Sequence, residues 1–124
     1  MMANVYTAWG AFLLGALAGA VPGLFFHGTD WLGGYTSWPR RMIRLAHIAF
    51  FGIGLLNLAF ALTVRSLALE TGLGLPSTLL VVGAITMPVV CYLSAWKPAF
   101  RHVFFVPAGS VTLAILSFLW RILP

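Results

Sequence analysis

LAHIAFFGIGLLNLAFALTV, Leu45–Val64, runs without a single Asp, Glu, Lys or Arg, with Arg44 before it and Arg65 after it. A hydrocarbon core of about 30 Å needs about 20 predominantly apolar helical residues. This stretch therefore reads as a helix crossing a bilayer. Three more charge-free stretches flank it: Met1–Thr29, Thr71–Trp96 and His102–Trp120. Each meets or nearly meets the same length. The expected fold is all-α, a polytopic membrane protein formed as an antiparallel four-helix transmembrane bundle.

Composition points the same way. The chain has 124 residues, 61% of them hydrophobic and 7% charged, with a mean hydropathy of +1.02. A water-soluble domain carries about 25% charged residues. The expectation is one transmembrane domain with helices at about 6–26, 43–64, 77–95 and 101–120, and no soluble domain. The net charge of +5 is thinly spread at the borders of the apolar runs. That placement suits headgroup contact and topology rather than nucleic acid. The lone Cys91 lies inside the third run and reads as a packing residue. Ala18-Gly19-Ala20 looks like a cleavage site, but Met1–Gly10 lacks Lys and Arg, so the first run is expected to be an uncleaved helix.

Prolines mark helix starts at Pro39, Pro76 and Pro98. The connection Trp96-Lys97-Pro98 is short enough to make helices three and four neighbours. Arg40, Arg41, Arg44, Lys97 and Arg101 fall on the side of connections one and three, against Arg65 and Arg121 on the other. Five basic residues against two puts the first group in the cytoplasm and both termini outside it. Trp31, Trp38 and Trp96 then form an inner belt, with Trp9 and Trp120 near the outer side. The expected location is a bacterial inner membrane.

Gly15, Gly19 and Gly23 recur at four-residue spacing, leaving a groove along helix one where another backbone can approach. Ser110, Ala114 and Ser117 offer a counterpart on helix four. Asn57 is the most polar side chain at mid-membrane and needs a partner, with Thr86, Thr112 or the Ala84 carbonyl freed by Pro88 as candidates.

His27, His47 and His102 come from separate parts of the sequence, yet the expected topology brings all three to the cytoplasmic level. Imidazoles on facing helices can hold a b-type haem, and one can hydrogen-bond a quinone. Against this, interfacial histidines often only contact headgroups, water or backbone. His47 is the deepest of the three, a few residues inside Arg44. The segment Arg44–Gly52, RLAHIAFFG, resembles the His-then-Phe-Gly helices of haem-copper oxidase and nitric-oxide-reductase-like membrane proteins. The likeness covers one helix and one histidine, so it carries over no residue role.

Several functions are disfavoured. Ion-coupled transport needs a protonatable group in the membrane, and small multidrug exporters depend on a Glu in their first helix that this chain lacks. Neither a hydrolytic Ser/His/Asp set nor a phosphate-binding loop is present. The primary expectation is a non-catalytic accessory or assembly subunit that meets lipid and other membrane subunits, or copies of itself. The alternatives are a haem- or quinone-binding redox module and a small-solute channel.

Overall fold

The computed structural model describes residues 1–124 and is all-helical. Four helices, α1 (Met2–Gly23), α2 (Trp38–Ser66), α3 (Gly74–Trp96) and α4 (Phe105–Ile122), dominate the chain, and no strand is present. With the short helical turn Pro98–Val103 leading into α4, each is long and apolar enough to cross a membrane.

Local chemistry explains the helix ends. α1 begins at Met2, earlier than expected, because nothing in the charge-free N-terminal run stops it. It ends at Gly23 rather than near residue 26. Pro22 has no N–H to extend the ladder, and the chain tightens into turns from Leu24 N to Val21 O and from Phe25 N to Pro22 O. α2 starts at Trp38, where the Ser37 hydroxyl accepts from Arg40 N and Pro39 sits in the first turn. Its 29 residues span about 43 Å, longer than the ~30 Å hydrocarbon core. α3 takes Pro76 in its first turn and carries Pro88 within. α4 begins at Phe105, with Pro107 in its first turn, where the missing N–H costs no helix bond. The preceding Pro98–Val103 is a 3₁₀ turn.

α1 packs on α2, α2 on α3 and α3 on α4, with a lighter contact between α1 and α3. α1 and α4 share no packed seam. Of the most apolar stretch of each helix, 17% is buried in α1 and in α4, against 33% in α2 and 39% in α3. The middle pair is thus the centre and the outer pair the flanks. Where α2, α3 and α4 meet, Phe60, Val64, Leu80 and Ala114 form the apolar core. Phe60 meets Phe118 edge to face, with 4.8 Å between ring centroids.

Polar fasteners join the helices. Trp38 Nε1 donates to Ser94 O (2.8 Å), and Ser110 Oγ donates to Leu79 O (2.7 Å). Arg121 binds the carbonyl and hydroxyl of Thr71. That bond crosses Gly72, which lies at φ +73 and has Arg121 Nε 2.9 Å from where a Cβ would sit.

Candidate functional site

Two polar features stand out in this mostly apolar molecule, one fully buried and one half-buried. The first joins α1, α2 and α3. Asn4 Nδ2 donates to Asn57 Oδ1 (2.8 Å) and to Ser77 O (3.2 Å), while the Ser77 hydroxyl donates to Asn4 Oδ1. Asn57 Nδ2 donates to Ile53 O (3.0 Å) and Leu80 O (3.1 Å). Both asparagines are fully buried, and each amide has its donors and acceptor occupied. Such closure stabilises a fold and leaves no free group for a ligand. The expected partners of Asn57 are not the ones it finds. Thr86 turns back to Val82 O on its own helix (2.7 Å), and the α3 carbonyl that Asn57 reaches is Leu80, one turn before Ala84.

The second feature surrounds His47. The glycine face of α1 seats α2 directly. A Cβ on Gly15 would stand 2.8 Å from Phe51 Cε2, and one on Gly19 would stand 2.5 Å from His47 Cε1. Gly23 meets nothing within 4 Å. Two of the three glycines therefore serve contact within the chain. His47 Nδ1 lies 2.9 Å from Gly15 O, and the ring stands edge-on to Phe51 at 5.3 Å. A carbonyl only accepts, so Nδ1 carries the hydrogen, and in the neutral ring Nε2 keeps its lone pair. Nε2 has no partner within the protein and is not sealed off. The His47 side of the interface borders a recess of about 260 Å³ lined by Ala18, Gly19, Pro22 and Phe26 of the α1 side and Ile43, Arg44 and His47 of α2.

Arg44 lines this recess, and Arg40 covers the Phe26 ring beside it. Arg44 donates to Tyr35 O (2.9 Å) and lies over the Tyr35 ring at 4.1 Å. Arg40 is only 3% exposed. It donates to Gly28 O (3.1 Å) and Phe26 O (3.2 Å) and covers the Phe26 ring at 4.7 Å. It therefore pins connection one to the start of α2, a structural role that charge counting does not reveal. Its buried Nε is left without a partner.

His27 and His102 are exposed, and neither makes a side-chain hydrogen bond. His102 lies in the turn before α4, which packs on α3, whereas His47 packs on α1. No group of three or more His, Cys, Asp or Glu stands together as a metal site. Apart from these features, two apolar grooves open between helices. One of about 350 Å³ runs between α1 and α3 beside Gly10, Phe50, Pro88 and Tyr92. The other, about 270 Å³, runs between α2 and α4 beside Leu56, Phe60, Ala114 and Phe118.

Asn4 and Ser77 are structural partners in the Asn57 network that sequence reasoning passed over. The available signal was that Asn4 and Asn57 are the only amide side chains in the chain. No protein-family model, no curated protein and no solved structure matches this chain.

Proposed function

We propose that the chain is an integral membrane protein that serves as a non-catalytic accessory or assembly subunit of a larger membrane complex. The four helices cross the bilayer antiparallel to their neighbours. Pairings such as Asn4 with Asn57, Gly15 with Phe51 and Gly19 with His47 support opposite directions for α1 and α2. Gly83 against Val111 and Thr71, just before α3, against Arg121 near the end of α4 support the same for α3 and α4. Exposed Leu13, Leu17, Ile48, Leu55, Ile85 and Leu116 favour lipid over water as the surrounding solvent. Basic residues at connections one and three favour an inner-membrane orientation with both termini outside the cytoplasm.

The observation that carries the subunit reading is the unclosed packing. α1 and α4 leave most of their apolar surface open, and two grooves flank the centre. The deep amides, by contrast, are consumed internally. A surface ready to pack, together with polar groups already spent, suits assembly better than chemistry. Mild solubilisation tests this. A membrane partner should co-purify at fixed stoichiometry and be lost when Gly10→Leu fills the α1–α3 groove. A lone protomer, both after in-membrane cross-linking and after solubilisation, rejects the reading.

A redox module is the second reading, favoured by the unpartnered His47 Nε2 at the edge of a recess. A recess of about 260 Å³ lies below the ~300–1,000 Å³ of sites that enclose whole drug-sized ligands, so a quinone ring suits it better than a haem macrocycle. A Soret band lost in His47→Ala would establish haem, and quinone extracted with the wild type but not with that variant would establish the other. A channel draws no support from Asn57, whose amide is fully engaged.

A further inference from the structure

We propose that the recess between α1 and α2 at His47 binds the headgroup of an anionic phospholipid that carries a free hydroxyl, of the phosphatidylglycerol type. This site is distinct from the two apolar grooves on which the subunit reading rests, and the proposal goes beyond that reading. Its chemistry follows from two side chains that differ in what they offer. Arg44 lines the recess and gives one donor to Tyr35 O, which leaves Nε and the second terminal nitrogen available. These are fixed positive donors suited to a phosphate oxygen. His47 has its hydrogen committed to Gly15 O, so Nε2 presents an acceptor. The complement of a cationic donor beside a neutral acceptor is an oxyanion with a hydroxyl a few atoms away.

Charge supports the same ligand. Arg40, Arg41 and Arg44 cluster at this end of α2, and the hydrogen bonds of Arg40 and Arg44 go to carbonyl oxygens, not carboxylates. The Arg44 charge is thus left for something outside the chain, whereas the buried Arg40 is occupied by connection one and the Phe26 and Trp31 rings. Position supports it too. The recess lies in the last turns of α1 and the early turns of α2, at the edge of the apolar zone, where a headgroup resides. Leu17, Val21, Leu45 and Ile48 on the same turns are exposed and offer an apolar surface for acyl chains. Gly19 makes the site possible, since any side chain there would displace the imidazole. A lipid held here also suits the size of the recess, which takes a headgroup rather than a large cofactor.

The test is competition on the wild-type protein in delipidated detergent solution, read by native mass spectrometry and by the thermal midpoint. Short-chain phosphatidylglycerol, phosphatidic acid, phosphatidylethanolamine, inorganic phosphate and a short-chain quinol are compared. Phosphatidylglycerol should bind as one retained molecule and raise the midpoint. Phosphatidic acid, which lacks the glycerol headgroup and has its only OH directly on phosphorus rather than a few atoms away, should bind roughly tenfold more weakly, and phosphatidylethanolamine more weakly still. Inorganic phosphate should give no shift. Arg44→Gln should weaken phosphatidylglycerol roughly tenfold, and Ala18→Leu should block the recess while leaving both polar groups in place. Equal binding of all phospholipids overturns the proposal. So does tighter binding of free phosphate, or of quinol independently of Arg44. Should a variant fail to fold, the wild-type ranking alone decides. Loss of lipid preference with partner co-purification intact would reject the site and leave the subunit reading standing.

Discussion

Single side chains in this molecule are either sealed or seated, and the two kinds respond differently to substitution. Asn57→Leu removes the acceptor of Asn4 and two bonds to Ile53 and Leu80 carbonyls. A loss of about 1–2 kcal/mol is expected, the upper range for polar contacts between membrane helices. The double variant with Asn4→Leu should cost less than the sum of the single changes, because the second removes a group the first has already orphaned. Reversible unfolding in mixed micelles measures this, and strict additivity would mean the amides act separately. Gly19→Ala should destabilise by displacing the His47 ring, whose Cε1 would stand 2.5 Å from the new Cβ. Gly23→Ala, with nothing within 4 Å, should be neutral or gain up to ~1 kcal/mol of helix propensity. Sequence pattern alone put those glycines on one face and singled out His47 and Asn57. It could not say which glycine touches what, since identical spacing hides the depth at which α2 crosses α1. The Asn4 pairing was hidden for another reason: a charge-free run gives no sign of where its helix begins.

At the level of helices, the four apolar runs were legible because a charge-free run of that length marks a helix long and apolar enough to cross a membrane. Their ends were less legible, since prolines act there through backbone bonds that composition does not report. Pro22 closes α1 early and Pro107 sits in the first turn of α4. The seams between helices can be tested singly. Gly83→Ala would place a Cβ 2.5 Å from Val111 Cγ2. Val has little rotamer freedom in a helix, so overpacking of about 1–3 kcal/mol is expected at the α3–α4 seam. Gly109→Ala, on the same helix as Val111 and meeting nothing within 4 Å, is the matched control. Should both variants unfold at the same denaturant strength, close approach at Gly83 would not be what holds α4. Trp38→Phe keeps an aromatic ring, though a smaller one, while deleting the bond to Ser94 O, at an expected cost of about 1–2 kcal/mol. It should also loosen the first turn of α2, visible as faster amide exchange near Arg40 and Arg41.

For the molecule as a whole, the proposed orientation makes a sharp demand. A reporter that matures only outside the cytoplasm should be active when fused after Pro124 and silent when placed in connection three at Lys97. The reverse pattern would invert the topology. Alkaline washing of membranes should leave the chain in the pellet, as expected of helices whose Leu and Ile side chains stay exposed in the isolated protomer. The shared network of Asn4 also has a bearing on biosynthesis. The ribosome makes Asn4 first, and its partners Asn57 and Ser77 emerge 53 and 73 residues later. During that interval the newborn first segment carries an amide nothing has yet answered. Translation must therefore deliver two more segments before the opening one can lock, and a pause in elongation ahead of Ser77 would leave it loosely docked.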